Sequence, residues 1–254
     1  MHAQREGHRG SATPPVPHSP AAQHQRRVTS FRSRRSALTE AQQEVWDRLW
    51  PSLGRAALTE PVQTLNPAAW FGRNAPLIVE IGCGTGTSTF GMARAEPEFD
   101  VIAVEVYRRG LAQLLNAIDR SSQETAVSNI RLIRGDGVDV LEHLIAPATL
   151  TGVRVFFPDP WPKSRHHKRR LLQPATLALI ADRLCPGGVL HAATDHAEYA
   201  EQIAEAGDAE PRLRRAQPGE SLPISVQRPT TKYETKAREA GRAVTELIWI
   251  RPGG

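Results

Sequence analysis

The sequence predicts an α/β fold whose mostly parallel central sheet carries helices on both faces. Three observations predict it. Short apolar runs of strand length recur along the chain: Leu77–Ile81, Val101–Val106, Ile130–Ile133, Val153–Phe157, Gly188–Ala193 and Ala243–Ile250. Segments with apolar residues at helical spacing alternate with them, the pattern of strands joined by crossover helices. An acid stands at or just after the end of each of the first five runs, where ligands bind in parallel sheets.

The elements can be justified in order. Order is expected from about Leu38. Thr39 with Gln42 three positions on fits a helix capping box, and Val45, Trp46, Leu49 and Trp50 recur at helical spacing up to Pro51, expected to stop the helix. After the first two strands, Leu111, Leu114, Leu115 and Ile118 form an i, i+3, i+4, i+7 stripe. Val138, Leu141, Leu144 and Ile145 repeat it after the third run. Leu177, Ile180 and Leu184 do so after the fourth, with Pro186-Gly187-Gly188 as the stop. Residues 207–229 read as loop with one short strand at most.

Composition narrows the class. The chain has 254 residues, 40% hydrophobic, enough for one core of about 200 residues. No apolar run reaches the roughly 18 residues of a membrane helix. The opening MHAQREGHRG lacks the apolar stretch of a secretory signal. Two cysteines, Cys83 and Cys185, provide neither a disulfide framework nor a four-thiolate zinc site. A reduced, cytoplasmic setting is expected, with no membrane and no metal. The first 35 residues hold seven arginines against one acid, while the whole chain carries a net charge of +5. The basic balance therefore belongs to the start of the chain. Residues 1–29 read as a disordered basic tail, either a nucleic-acid-contacting arm or a solvated extension, before a domain over 30–254.

The strand ends suggest a cofactor. Glu80-Ile81-Gly82-Cys83-Gly84-Thr85-Gly86 is a glycine-rich turn between strand and helix, but Thr87 stands where a dinucleotide fingerprint needs glycine or alanine. Glu80 would repel a pyrophosphate and welcome a cationic amino-acid ligand, which favours S-adenosylmethionine over NAD. Glu105, 21 residues beyond Gly84, can accept from ribose hydroxyls, and Asp136 can take an adenine amino group. The bland reading is a tight turn with surface acids.

The fourth run leads into Pro158-Asp159-Pro160-Trp161-Pro162-Lys163-Ser164-Arg165-His166-His167-Lys168-Arg169-Arg170. Cations at this density, without an acid among them, suit a phosphate backbone; an exposed charged loop is the alternative. Trp161 could pack or stack on a base. His166 and His167 have no ligand pattern for a metal and read as further RNA contacts. Thr194-Asp195-His196 fits a helix cap with Glu198 at the third helical position, and Thr231 with Glu234 fits a capping box.

Taken together, Glu80–Gly86, Ala103-Val104-Glu105-Val106, Pro158–Arg170, Thr194-Asp195 and Thr231–Glu234 resemble the bacterial tRNA (guanine-N7-)-methyltransferase family, over about residues 30–252. The Pro-Asp-Pro-Trp-Pro-Lys run and its basic continuation are the specific part. The resemblance implies a class I, Rossmann-like, S-adenosylmethionine-dependent enzyme. It implies methyl transfer to N7 of guanine 46 in the tRNA variable loop, by a monomer or homodimer. It assigns Glu80, Gly82, Gly84, Glu105, Asp136 and Asp159 to the methyl donor, with Asp159 also catalytic. Lys163, Asp195, Thr231, Lys232, Tyr233 and Glu234 would contact substrate, and Arg165, His166, His167, Lys168, Arg169 and Arg170 the RNA. Ser36-Ala37 stands where the family has Gly-Arg, and His196 where it often has an aromatic.

Other classes fit less well. Methylation of an exocyclic amine goes with Asn/Asp-Pro-Pro-aromatic, and the order here is Pro-Asp-Pro-Trp. A non-catalytic RNA-binding scaffold would not need acids at every strand end. A dehydrogenase would need the complete dinucleotide fingerprint.

Overall fold

The computed structural model describes residues 37–59, 62–121, 126–230, 234–235, 239 and 241–253. Eight strands form one sheet in the order β1-β4-β3-β2-β5-β6-β8-β7. They are β1 (Gly54–Ala56), β2 (Leu77–Ile81), β3 (Asp100–Glu105), β4 (Ile130–Arg134), β5 (Leu150–Phe156), β6 (Leu184–Thr194), β7 (Arg214–Arg215) and β8 (Thr245–Ile250). The first six pair in parallel, and β8 runs antiparallel to both β6 and β7. From β2 the chain steps outward through β3 and β4, then returns to the other side of β2 as β5 and β6. The point of reversal lies between β2 and β5, which opens a crevice at their carboxyl ends.

Burial follows from helices on both faces. Every residue of β2 and β3 is buried, as expected for central parallel strands. On one face Val79, Ile81, Val104, Val153 and Val155 pack with Leu177 and Ile180 of α6 (Pro174–Arg183) and Tyr199 and Ile203 of α7 (Ala197–Asp208). On the other, Ile78, Val101, Ala103 and Leu132 meet Trp46 of α1 (Glu40–Leu53) and the α4 (Arg108–Ser121) stripe Leu111, Leu114, Leu115 and Ile118. Each of those stripe side chains is buried and stabilises the fold by roughly 1.5–3 kcal/mol before entropy is counted. No helix among the described residues is long and apolar enough to cross a membrane.

The first helix begins as its sequence dictates: Thr39 Oγ1 accepts from Gln42 N–H and Gln42 Oε1 accepts from Thr39 N–H, completing the capping box. Trp46 and Trp50 stack at 4.1 Å. Arg108 lies over Trp46 and Arg48 binds Asp119 through two hydrogen bonds, fastening α1 to α4.

Several boundaries differ from expectation. Pro51 does not stop α1, which runs to Leu53. A proline this near the end removes only its own N–H bond, and Gly54 N–H still closes on Trp50 O. The segment around Val138–Ile145 is a single α turn, α5 (Gly137–Asp139), continued by a π turn over Val140–Leu144. Helix α6 ends at Arg183, and Leu184 already pairs in β6. Pro186-Gly187-Gly188 is an excursion within that strand, marked by a register shift against β5 between Leu150 and Gly152. The cap of α7 is His196, whose Nδ1 accepts from Tyr199 N–H, one residue later than the Asp195 cap expected. Strand β1 and the short helix α2 (Pro67–Phe71) have no counterpart in the sequence pattern. The expected tail over residues 1–29 lies outside the described residues.

Candidate active site

The carboxyl ends of β2 to β6 share one rim because these strands are parallel. Between β2 and helix α3 (Thr87–Ala95) the chain turns through Gly82, Gly84 and Gly86 at φ of 75°, 56° and 75°. A Cβ on Gly82 or Gly84 would meet nothing within 4 Å, so space stands open beside both. On its inner side the turn is packed hard: a Cβ on Gly110 of α4 would come within 2.2 Å of Gly84 O. Only glycine lets helix and turn approach so closely.

Two acids hold or flank this turn. Glu105 Oε2 accepts from Gly84 N–H at 2.9 Å, and its Oε1 accepts from Val106 and Tyr107 N–H at 2.7 and 3.0 Å. The carboxylate bolts the glycine turn to the end of β3 and keeps about one of four acceptor sites for a ligand. Glu80 behaves differently. It is buried, and its Oε2 has no hydrogen-bond partner among the described residues. Burial pushes its carboxyl up to about 7, against the lowering influence of Arg154 and Arg228. A buried carboxylate with one oxygen unpartnered, beside an open glycine turn, fits a ligand with a cationic amino-acid end. Asp136 caps α5, its Oδ1 accepting from Val138 N–H at 2.8 Å, and its other oxygen makes no hydrogen bond among the described residues.

Opposite, β5 runs out into Phe157-Pro158-Asp159-Pro160-Trp161. Phe157 and Trp161 both take left-handed backbone, φ 50° and 44°. Two non-glycine residues in that region within five positions store strain, which persists only where the surroundings enforce it. Asp159 stands exposed between them and makes no hydrogen bond among the described residues.

The basic run forms a 3-10 helix over Ser164–Arg169. With three residues per turn, side chains three apart align. Arg165 and Lys168 share an exposed ridge, and Lys163 before them is also exposed. His166 and Arg169 lie against Trp161, with centroids 5.8 Å apart for His166 and the guanidinium carbon 5.1 Å from the ring for Arg169. Burial and the cations Arg169, Arg165, Lys163 and Lys168 hold His166 below the ordinary histidine range, so it is neutral at physiological pH. His167 and Arg170 turn inward.

Arg170 corrects an expectation. Its guanidinium is buried rather than presented to RNA. It donates to Pro160 O at 2.8 Å, to Gln202 Oε1 and to His167 Nε2, and covers the Tyr199 ring at 4.9 Å. The last arginine of the run is a strut that braces the Asp159 loop against α7. His167, which accepts from it, serves the same brace.

Asp195 follows β6 and pairs with Arg242, Nε to Oδ2 at 3.0 Å. Of the Thr231–Glu234 segment, Thr231, Lys232 and Tyr233 lie outside the described residues. Glu234 is buried and accepts from Arg228 Nη1 at 2.6 Å.

Sequence reading missed a buried ionic layer behind this rim. Glu80, Arg154 and His191 are register partners across β2, β5 and β6. Arg154 donates to Glu96 Oε2 at 2.6 Å and to Ser225 O at 3.2 Å. His191 Nε2 donates to Glu246 Oε2 at 2.6 Å, and Arg228 donates to the other oxygen of Glu246. Burial raises Glu246, but His191 and Arg228 outweigh it and hold the carboxyl below its ordinary range. One signal was available: arginine inside the apolar run Val153–Phe157 is out of place unless paired.

Fold and rim together define a class I, Rossmann-like methyltransferase that uses S-adenosylmethionine. A family model described as "Putative methyltransferase" matches residues 74–247. A "tRNA (guanine-N(7)-)-methyltransferase" from Mycolicibacterium gilvum is 70% identical over 230 residues, covering 89% of this chain and 87% of that protein. One from Mycobacterium bovis is 65% identical over 243 residues, 93% and 90% of the two chains. The chain belongs to the tRNA (guanine-N(7)-)-methyltransferase family. Among solved structures, the 16S rRNA methyltransferase KamB aligns with a TM-score of 0.50 at 17% identity, over 76% of this chain and 97% of that one, a likeness of fold.

Proposed function

We propose that this protein transfers a methyl group from S-adenosylmethionine to N7 of guanine 46 in the variable loop of tRNA, acting in the cytoplasm. The observation that carries the reading is the strained loop that holds Asp159 beside an exposed basic ridge, on the same rim as the glycine turn and the unpartnered Oε2 of Glu80. In this reading residues 30–254 are the methyltransferase domain and residues 1–29 a basic extension.

Glu80, Gly82, Gly84, Glu105 and Asp136 would hold the methyl donor. Glu80 takes its ammonium, the glycine turn gives it room, and the acids at the ends of β3 and β4 receive ribose and adenine. When bound, S-adenosylmethionine supplies an electrophilic methyl group. Guanine N7 has a free lone pair, so no base need remove a proton before attack. The product ring is cationic. Asp159 would accept from guanine N1–H and the exocyclic amine, orient the ring and favour its developing charge. Lys163, Asp195 and the segment 231–234 would complete the guanine pocket. Arg165 and Lys168 would meet phosphates, with His166 and Arg169 beside them on Trp161.

The test uses unmodified tRNA transcript, purified protein and S-adenosylmethionine, then nuclease digestion and mass spectrometry of nucleosides. N7-methylguanosine is expected, and it should vanish when the variable-loop guanine is replaced. A different methylated nucleoside would overturn the reading. Asp159→Ala should lower turnover by about 10²- to 10³-fold or more while the protein still melts cooperatively; near-normal turnover would remove Asp159 from its role.

A further inference from the structure

We infer that Arg228 is a positioning residue that ties the root of the Asp159 loop to Glu234. This deepens the proposed function and rests on its assignment of Asp159 and residues 231–234 to the guanine.

The Arg228 side chain is buried, on a stretch of chain that is pinned on both sides. Ile224 sits in the core, where it meets Gly152 of β5. Ser225 N–H donates to Glu96 Oε1 at 2.8 Å, and Ser225 O accepts from Arg154. Pro229 lies against Gly91 of α3, where a Cβ would come within 2.5 Å of the proline ring. The backbone at residue 228 has little freedom, so its side chain can act as a fixed point.

From that point the guanidinium reaches three elements. Its Nε and Nη2 donate to Glu246 Oε1 of β8 at 2.9 and 2.7 Å. Its Nη1 donates to Glu234 Oε2 at 2.6 Å. Its planar face lies 4.9 Å from the Phe157 ring and 5.4 Å from that of Phe156. Phe157 is the first left-handed residue of the Asp159 loop, and its N–H donates to Ala193 O at 2.7 Å. One side chain thus covers the root of the catalytic loop and holds the end of the substrate segment, 77 positions later in the chain.

Stability alone does not call for this arrangement. Buried ion pairs are often matched or exceeded by apolar packing of the same volume. Arg228 could satisfy Glu246 without touching Glu234 or the phenylalanines. A planar fork with several donors binds two carboxylates and an aromatic face at once, whereas an ammonium supplies the charge without that geometry. Loss of the fork should leave the methyl-donor pocket intact and let Glu234 and the root of the Asp159 loop drift apart, which is felt in the chemical step.

The experiment compares the full chain with Arg228→Lys, Phe157→Leu, the double variant and Asp159→Ala. Arg228→Lys should lower kcat about 10- to 100-fold, while its Kd for S-adenosylhomocysteine stays within about threefold of the parent. In the double variant the combined loss should fall short of the product of the two single losses, because both act on one interaction. A parent-like kcat for Arg228→Lys, an equal loss of S-adenosylhomocysteine affinity, or multiplicative losses would overturn the inference. If Arg228→Lys does not fold, Phe157→Leu decides: lowered kcat with unchanged S-adenosylhomocysteine binding supports the coupling, and unchanged kcat overturns it. Asp159→Ala separates two kinds of failure. If it is inactive while Arg228→Lys is normal, only the positioning role falls; if it turns over normally, the underlying site assignment falls as well.

Discussion

Glu80 sets the first scale. Its carboxyl titrates near 7 in the folded protein, above its ordinary value of 4.5, because burial outweighs Arg154 and Arg228. Between those two pH values the folded chain binds more protons at this site than the unfolded chain. Stability therefore falls as pH rises through that window; the penalty is absent below it and complete above it. Glu80→Gln should raise stability at pH 8 by up to a few kcal/mol, on the order of 3, and have little effect at pH 4.5. Urea denaturation at the two pH values checks this, and equal shifts at both would contradict it. The same variant should bind S-adenosylhomocysteine much more weakly. The position of Glu80 was readable from its place before the glycine turn. Its titration was not, since that depends on how completely the fold buries it and on Arg154 and Arg228, both far away in the sequence.

At the scale of elements, the basic turn after Asp159 divides its labour by geometry. The exposed pair Arg165 and Lys168 predicts one phenotype. Replacing both by Ala should raise KM for tRNA, leave kcat nearly unchanged, and reduce the salt slope of binding by about one for each phosphate no longer neutralised. Arg170→Ala should behave otherwise. It removes bonds to Pro160, Gln202 and His167, so stability should fall by about 1–3 kcal/mol, and kcat should fall with it. If Arg170→Ala changed only the salt slope, the brace described for it would be wrong. The density of cations was legible in the sequence. Their division was not, because the run could have continued as an α-helix or an extended strap, and only the threefold spacing of a 3-10 turn sends Arg170 inward and Arg165 outward. The α4 stripe, in contrast, was legible residue by residue, since an uninterrupted 3.6 period has one solution.

For the whole molecule, the charge distribution carries the prediction. Four of the seven arginines in the first 35 residues lie within residues 1–29, against one acid, in a chain with net charge +5. Deleting residues 1–29 should therefore weaken tRNA binding at physiological salt and leave kcat at saturating tRNA intact. The deficit should shrink as ionic strength rises, because screening removes what the cations contribute. A deficit that persists in high salt would point to a non-electrostatic role. The alternation of strands β2 to β6 with helices was legible in the sequence, but their order across the sheet was not. Strand β1 escaped, and β7 was foreseen only as one short strand somewhere in residues 207–229, because three and two residues are too few to show a period and both are held by neighbours far off in the chain, β4 and β8.

Those two short strands have a consequence of their own. Among the described residues they are the outermost members of the sheet, three residues long at one margin and two at the other, and they leave part of β4 and β8 without a strand partner on that side. Long exposed margins invite a stray chain to add itself as another strand, the route to fibrils and misassembly. At the β7 margin the edge residues are both arginines, Arg214 held by Glu220 and Arg215 by Asp208, so a chain adding itself there would have to displace two ion pairs. The most apolar strands, β2 and β3, lie inside the sheet with a partner on both sides, away from either margin.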